Sequence, residues 1–461
     1  MEITIIPIHK ADEELPFFQE NSSVGFGTSQ FIQKEGELFL YIGLGENKLT
    51  FEDVRFLGGI CRKALYKMKD AAVRINYQAI VNRSLNLQIS ETIICFMEGW
   101  YLANYQFRPY KKEEEKLSTL AVHWEEKRFK DWEQEAYTRA TAVNFARDLC
   151  NEPANKLTPT SYAQYLRKMF KDTDVVVEII EGDALSKRDF PGINAVSKGS
   201  SEPAKLAILT LNRQSDKEKV ALVGKGVTFD SGGINAKTAS DIGEMKMDMG
   251  GSAAVAGAMK LLADTDASVN VVAILPLVQN LADGNAFLPS DVIQYPNGLH
   301  VEVGNTDAEG RLILADGLLY AQSVGAKTII DIATLTGSIG SALGLKAAGV
   351  FSNAEEDLWQ YKKLGDETGD YIWPMPVYDD YIHYLKSDAA DVNNMSSSQF
   401  GGAITAALFL KQFIEPDKKW IHIDMANTVR PWKVQGYYVQ GASGYGVRLL
   451  YEIVKQKTLG N

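Results

Sequence analysis

The sequence contains few of the residues that build the common zinc sites. Its five histidines include no pair at the helical spacing of an HExxH motif, and no Cys-x-x-Cys occurs. These absences exclude a zinc finger and an HExxH metallopeptidase. The three cysteines, Cys61, Cys95 and Cys150, are scattered and odd in number, which favours reduced thiols that pack in a core.

Long apolar segments are missing too. The longest apolar stretch, Val269–Val278, is much shorter than the roughly 20 residues that a membrane-spanning helix needs, and it contains Pro276. Residues Met1–Ile8 lack the basic segment and the long apolar run of a signal peptide. We therefore expect a cytoplasmic protein without a membrane partner, in agreement with the unpaired cysteines.

Basic residues are outnumbered by acidic ones, with 48 Lys and Arg against 59 Asp and Glu and a formal net charge of −11. This balance argues against nucleic acid as the main partner, because binding to phosphates needs a positive surface.

The length of 461 residues exceeds what one hydrophobic core usually supports, and the hydrophobic content of 45% is enough to fill two cores. Two domains are therefore expected.

Carboxylates and glycines are concentrated in two clusters, of which the first is Asn305–Leu312, NTDAEGRL. Asp307 and Glu309 are two positions apart, so in an extended segment both side chains point to one side. Two such carboxylates repel each other unless a cation or a shared proton lies between them, and Arg311 adds a permanent positive charge. The alternative interpretation is a turn followed by an acidic first helical turn.

The second cluster lies between residues 223 and 251. A buried strand is predicted to end at Val223 and is followed by Gly224-Lys225-Gly226; a second β-like stretch ends at Phe229, after which Asp230-Ser231-Gly232-Gly233 turns the chain. Lys237 and Asp248 follow, the latter ahead of a helix of small residues. A carboxylate at a strand end beside a glycine turn is a usual place for a site in an α/β protein. The alternative is a set of ordinary loops with solvated charges.

A site built from Asp and Glu oxygens suits Mn²⁺ or Mg²⁺ and also tolerates Zn²⁺. Four crowded carboxylates carry enough negative charge for about two divalent ions, which could activate one water between them. Two other chemistries fit poorly. Ser231 lacks the preceding glycine of a chymotrypsin-like nucleophile, since Phe229 stands before Asp230, and Lys237 lacks the preceding glycine of a P-loop, since Ala236 stands there.

The two clusters together resemble the site segments of the leucyl aminopeptidase family. NTDAEGRL matches the signature of that family, and VGKGVTFDSGG, INAK and MDMGG match its other site segments in order and spacing. Similar stretches elsewhere are ARDLCNEPANKLTP, IDIATLTG, SDAADVNN, GGAITAALFL, WIHIDMA and GASGYGVRLL. The resemblance covers residues 140 to 450, and the first 140 residues match only weakly.

The resemblance implies a metalloaminopeptidase with two divalent ions per subunit, Mn²⁺ or Zn²⁺, and a bridging water that attacks the peptide. It implies that Asp230 and Glu309 contact both ions, that Asp307 completes the more exchangeable site, and that Lys225 and Asp248 complete the tighter one. Lysine binds a metal only as the neutral amine, so the adjacent cations would have to lower its pKa.

The same resemblance assigns two catalytic residues and a substrate pocket. Lys237 corresponds to the lysine that polarises the scissile carbonyl, and Arg311 to the arginine that holds a bicarbonate, the general base. The residues expected around the first side chain of the peptide are Met245, Thr334, Leu335, Gly337 and Ala426. Such a pocket favours apolar, leucine-like side chains, although one methylene group is worth only about 1–3 kcal/mol. The chain departs from many relatives at Asn427, where they carry glycine.

The resemblance also implies a homohexamer with its active sites facing an enclosed cavity that admits peptides. The competing class is a non-catalytic scaffold or a DNA-binding member of the family. All seven matched polar residues are present, which argues against this class.

The expected fold is α/β with two domains: a smaller, variable N-terminal α/β domain, residues 1–125, a connecting helix, residues 126–155, and a catalytic domain, residues 156–461. The catalytic domain is expected to contain a mixed central sheet flanked by helices.

Hydrophobic periodicity predicts the individual elements. The N-terminal strands are expected at Ile3–Ile8, Leu38–Ile42, Ala72–Tyr77 and Leu120–His123, and the helices at Phe51–Met68, Glu91–Tyr105 and residues 126–151. The strands of the catalytic half are expected at Lys205–Leu211, Val220–Phe229, Asn270–Val278, Thr328–Ile332 and Trp420–Met425.

Overall fold

The computed structural model describes residues 2–9, 24–68, 71–112, 120–238 and 242–459. The chain forms two compact units. The first comprises Met1–Asn144, Asp366–Gly369 and Lys433–Gln440, and the second comprises Phe145–Gly365, Asp370–Trp432 and Gly441–Asn461. The predicted two-domain α/β class is confirmed. Among the described residues, no helix is both long and apolar enough to cross a membrane.

The first unit is built on a five-stranded sheet in the order β2-β3-β1-β4-β5. Strand β1 pairs in parallel with β3 and β4, and its residues Ile3 and Ile5 are fully buried in the core of this unit. The strands are β1 Glu2–Ile8, β2 Ser29–Lys34, β3 Glu37–Gly43, β4 Ala72–Ile75 and β5 Ala121–Val122. The helices that begin in this unit are α1 Phe51–Ala64, α2 Tyr77–Arg83, α3 Ile89–Ala103 and α4 Lys127–Asn151.

The second unit is built on a nine-stranded mixed sheet with the order β15-β14-β17-β13-β8-β10-β7-β6, in which β9 also pairs with β10. A separate three-stranded sheet has the order β11-β12-β16. The strands are β6 Val176–Glu181, β7 Lys205–Asn212, β8 Val220–Gly224, β9 Gly226–Asp230, β10 Asn270–Asn280, β11 Val292–Gln294, β12 His300–Glu302, β13 Thr328–Ala333, β14 Ala348–Ser352, β15 Ile372–Pro374, β16 Val392–Asn393 and β17 Lys419–Asp424.

Helices cover this sheet, so its central strands β8, β10 and β13 are buried along their whole length and have continuous apolar sequences. The helices are α5 Pro159–Met169, α6 Asp183–Lys187, α7 Pro191–Ser197, α8 Gly250–Asp264, α9 Glu309–Ser323, α10 Gly337–Leu343, α11 Leu358–Thr368, α12 Gly402–Lys411 and α13 Val447–Leu459. Short 3-10 helices span Ile242–Met247, Glu355–Asp357 and Asp379–Leu385.

The observed strand ends differ from the predicted ones by one or two residues in most cases, and two of the differences alter the connection to the next element. The strand expected at Ala72–Tyr77 ends at Ile75, because Tyr77 already begins α2. The strand expected at Val220–Phe229 is interrupted at Lys225 and continues as β9, which pairs with the far end of β10. The chain runs on through this interruption, since β8 and β9 pair with β10 in the same register, and the backbone N–H of Lys225 donates to the carbonyl oxygen of Ile332 at 3.1 Å.

Candidate active site

The charged residues of the two sequence clusters lie where strands end and helices begin. Lys225 separates β8 from β9, and Asp230 is the last residue of β9. Asp248 follows a 3-10 helix and precedes α8, whereas Glu309 is the first residue of α9 and Asp307 lies in the turn before it. The carboxyl ends of parallel strands meet at one edge of a sheet, and this edge is the usual ligand site of α/β proteins.

The turn after β9 fixes the orientation of Asp230. Its Oδ1 accepts hydrogen bonds from the backbone N–H of Gly232 and from the side chain of Asn280, both at 2.9 Å. Gly232 has a φ of 89°, and a Cβ there would lie 2.4 Å from the carbonyl oxygen of Asn235. Only glycine fits this position, and the tight turn leaves Oδ2 of Asp230 free to contact Lys237 at 2.7 Å.

The turn that carries Asp307 is held by Asn394, whose side chain is fully buried. Its Oδ1 accepts from the N–H of Asn305 at 3.1 Å, and its Nδ2 donates to the carbonyl oxygens of Asn305 at 2.9 Å and Ala308 at 3.3 Å. Asp307 and Glu309 therefore come from a turn and a helix start, and not from an extended segment as the spacing alone indicated. The alternative interpretation of an acidic helix start describes the backbone correctly.

Three carboxylates point to one place. Asp230, Asp307 and Glu309 each offer an oxygen, and these oxygens lie within 4.8 Å of one another. Two lysines accompany them. The Nζ of Lys225 lies 2.8 Å from Asp248 and 2.9 Å from Glu309, and it donates to the carbonyl oxygen of Thr334 at 2.9 Å.

The second lysine, Lys237, bridges two of the same carboxylates. Its Nζ lies 2.7 Å from Asp230 and 2.5 Å from Asp307. Burial lowers the pKa of Lys237, but the charges of Asp230 and Asp307 outweigh this effect, so its pKa is raised. Lys237 is therefore an ammonium group at neutral pH.

Crowding and burial also shift the pKa values around Lys225. Burial raises the pKa of Glu309 to about 8, with a further contribution from the charge of Asp230, and burial raises that of Asp248 to about 6. Burial lowers the pKa of Lys225, yet its carboxylate neighbours outweigh this effect and raise it. Burial likewise raises the pKa of Asp307. The cluster therefore retains protons when no other cation balances its charge.

The residues present fit a divalent metal ion. Glu309 is 1% exposed, and its Oε2 has no hydrogen-bond partner among the described residues. A buried carboxylate oxygen without a donor is costly unless a cation binds it. The donor set is rich in carboxylate oxygen, which suits Mn²⁺ and tolerates Zn²⁺.

Arg311 is buried next to this cluster in the first turn of α9. Its Nη1 donates to the carbonyl oxygen of Asn394 at 2.6 Å, its guanidinium lies 5.8 Å from the ring centre of Phe409, and its Nε has no hydrogen-bond partner among the described residues. Burial lowers the pKa of Arg311 to about 10, so the group stays charged at neutral pH. A buried guanidinium with a free donor fits an anion.

All twelve residues predicted for the site line one cavity of about 570 Å³. These residues are Lys225, Asp230, Lys237, Met245, Asp248, Asp307, Glu309, Arg311, Thr334, Leu335, Gly337 and Ala426. The sequence did not indicate that the segment from Met395 to Gln399 also contributes to the wall. It also did not single out Asn280 and Asn394, although Asn394 belongs to the matched SDAADVNN stretch.

Comparison with known proteins identifies the family. The family model described as "Cytosol aminopeptidase family, catalytic domain" matches residues 144–451. A probable cytosol aminopeptidase of Persephonella marina is 36% identical over 419 residues, which cover 89% of this chain and 84% of that protein. One from Rickettsia canadensis is 39% identical over 438 residues, covering 92% and 86%.

Solved structures agree. The bottromycin maturation enzyme BotP has a TM-score of 0.90 at 28% identity, with 99% of both chains covered. A second structure, of BotP in complex with Mn, has a TM-score of 0.90 at 29% identity, with 98% of both chains covered. The predicted resemblance is thus confirmed, and the chain belongs to the cytosol aminopeptidase family, whose members are metal-dependent aminopeptidases.

Proposed function

We propose that this aminopeptidase removes apolar, leucine-like residues from the N-termini of peptides in the cytoplasm, with two divalent ions, Mn²⁺ or Zn²⁺, in each subunit. The observation that carries the proposal is the carboxylate cluster in the wall of a cavity of about 570 Å³, in which the Oε2 of Glu309 has no hydrogen-bond partner among the described residues. A cavity of this size accepts a short peptide end.

We assign Asp230 and Glu309 to both ions, Asp307 to the more exchangeable ion, and Lys225 and Asp248 to the other. Support comes from the distances of 2.8 and 2.9 Å that join Lys225 to Asp248 and Glu309, because these three groups already share one small volume. Lys225 must lose its proton before it can bind a metal. When bound, the ions supply Lewis acidity and a water of lowered pKa.

Lys237 has the properties of a group that stabilises negative charge on the substrate. Its raised pKa keeps it protonated at neutral pH, and it lines the cavity beside Asp230 and Asp307. An ammonium group held in a partly buried site stabilises the developing oxyanion of a peptide carbonyl more strongly than it would in water.

Arg311 is assigned the binding of a bicarbonate, which would supply a general base at this position. A guanidinium cannot bind a cation, and Arg311 lines the cavity with an Nε that has no hydrogen-bond partner among the described residues, which suits a carboxylate-like anion. The backbone N–H groups at the start of α9 favour an anion at the same place.

The preference for apolar residues is supported by the cavity wall. Met245, Leu335 and Ala426 line it together with Thr334 and Gly337. A wall of this kind discriminates by apolar contact, so the preference for leucine over alanine is expected to be modest. Asn427 does not line this cavity; its side chain donates to the carbonyl oxygen of Ala347 at 2.8 Å, so it holds the chain beside Ala426.

The decisive test is turnover of leucine p-nitroanilide by protein loaded with Mn²⁺ or Zn²⁺, together with metal analysis. We expect release of p-nitroaniline, about two ions per chain, and loss of turnover when the ions are removed by a chelator. Glu309→Gln is the matched control, because it keeps the size of the side chain and removes its charge. Absence of turnover with every metal, together with less than one ion per chain, would contradict the proposal.

A further inference from the structure

Asp424 is a buried carboxylate next to the cavity that no step described above uses. It is the last residue of β17 and is fully buried. In the parallel pairing of β13 with β17, Ala333 lies opposite Asp424, so both strands end at the same level. The chain then continues from each strand end directly into the cavity wall.

The carboxylate of Asp424 connects these two continuing segments. Its Oδ1 accepts from the backbone N–H groups of Leu335 and Thr336 on one segment and of Ala426 on the other, each at 3.3 Å. Its Oδ2 accepts the hydroxyl of Thr336 at 2.5 Å. Leu335, Thr336 and Ala426 all line the cavity, whereas Asp424 does not.

The contact with Thr336 extends to helix α10. A hydroxyl has one proton, and that of Thr336 goes to Asp424. Its oxygen is thereby oriented to accept the N–H of Ile339 at 3.3 Å, which caps the N-terminus of α10. One carboxylate therefore fixes the pocket segment, the opposite segment and the start of the next helix.

We propose that Asp424 is a positioning residue that sets the width of the pocket for the first side chain of the peptide, by holding the segment 334–337 against Met425 and Ala426. The proposal rests on the proposed function, since it concerns the choice between leucine-like and smaller residues. Without Asp424, three backbone N–H groups and one hydroxyl lose their acceptor, and the two segments are free to separate.

The test compares four purified variants by three measurements. Asp424→Ala removes every contact, Asp424→Asn keeps one acceptor oxygen, and Thr336→Val removes only the hydroxyl. Asp316→Asn is the matched control, because Asp316 is also buried and accepts a backbone N–H, that of Ile193 at 2.7 Å, away from the cavity. The measurements are kcat and KM for leucine and alanine p-nitroanilides with Mn²⁺, bound metal, and hydrogen exchange of the segments 333–340 and 424–428.

We expect Asp424→Ala to lower the leucine-to-alanine ratio of kcat/KM by about tenfold, to raise KM, and to speed exchange in both segments at unchanged metal content. Asp424→Asn and Thr336→Val should give smaller changes in the same direction, and Asp316→Asn should keep the ratio. Should Asp424→Ala not fold, Thr336→Val and Asp424→Asn decide the outcome. The proposal is overturned if Asp424→Ala lowers kcat equally for both substrates while KM, the leucine-to-alanine ratio of kcat/KM and the hydrogen exchange of both segments stay unchanged. If the unmodified protein releases neither residue, the proposed function fails, and hydrogen exchange alone decides whether Asp424 holds the two segments.

Discussion

Arg311 differs from its charged neighbours because it cannot bind a metal ion, yet it is buried beside residues that can. We therefore predict that Arg311→Ala keeps both ions and roughly the same KM, but loses about 10²–10³ in kcat, the magnitude typical of a proton-transfer or electrostatic group. Steady-state kinetics in buffers with and without bicarbonate, combined with metal analysis, test this expectation.

Glu309→Ala is the comparison for this variant, because it removes a proposed ligand and should lose metal as well as rate. An empty metal site in Arg311→Ala would contradict the assigned role, as would an unchanged kcat in bicarbonate-free buffer. Arg311 also donates to the carbonyl oxygen of Asn394, so it could act by supporting the site and not by binding an anion. The metal content of Arg311→Ala separates these two roles, because only loss of the supporting role should empty a metal site.

At the scale of residues, the sequence indicated the groups that carry charge but not those that hold them. Asp230 and Glu309 were recognisable because they lie in two clusters of charged residues and glycines that match the site segments of one family. Asn280, Asn394 and Asp424 act through hydrogen bonds to residues 26 to 89 positions away. Such partners depend on which strands become neighbours, and a single sequence carries no direct signal of that pairing.

At the scale of secondary-structure elements, the ends of several strands and helices meet around Lys225. This crowding predicts that metal binding is coupled to the release of protons. Glu309 has a pKa raised to about 8, and Lys225 has a pKa raised above its ordinary value, so both hold protons at pH 7 without metal. Ligation requires the deprotonated forms, so metal binding at pH 7 should release about two protons per chain, and affinity should rise with pH through 8.

Calorimetric titration with Mn²⁺ in buffers of different ionisation enthalpy measures this release. Lys225→Gln should release about one proton fewer, whereas Lys237→Gln, a lysine outside the proposed ligand set, should release about as many as the unmodified protein. Metal binding without proton release would refute the assignment of Lys225.

The raised pKa of Glu309 has a second consequence. The folded, metal-free protein binds this proton more tightly than the unfolded chain, so its stability should fall as the pH rises from 4.5 to about 8.

Element types followed from hydrophobic patterns more closely than element ends did. The buried central strands were visible as apolar runs, because helices cover both faces of their sheet. The local sequence Gly224-Lys225-Gly226 indicated a break between two β-like stretches, although hydrophobic periodicity joined Val220–Phe229 in one predicted strand. The split arises from tertiary structure: β8 lies between β10 and β13, whereas β9 pairs only with the far end of β10.

At the scale of the whole molecule, the residues that line the cavity all belong to the second unit. The family match, residues 144–451, covers the same part of the chain. Among the residues that the structure describes, the first 140 positions contribute no lining residue to this cavity. The boundaries predicted at residues 125 and 155 stay predictions; helix α4, Lys127–Asn151, lies within the predicted connecting segment 126–155.

We expect the chains to assemble into a hexamer whose enclosed cavity admits peptides and excludes folded proteins. Sedimentation velocity at micromolar concentration should then give a particle of six times the 51.0 kDa chain mass. Each chain carries a net charge of −11, so assembly collects like charges, and added salt should favour the hexamer by screening them. A monomer at every salt concentration would contradict the expectation.

Access to the enclosed cavity is tested separately, by comparing the release of leucine from a short peptide with its release from the same sequence at the N-terminus of a folded protein. Equal rates would mean that the active sites are open to both and would contradict an enclosed cavity.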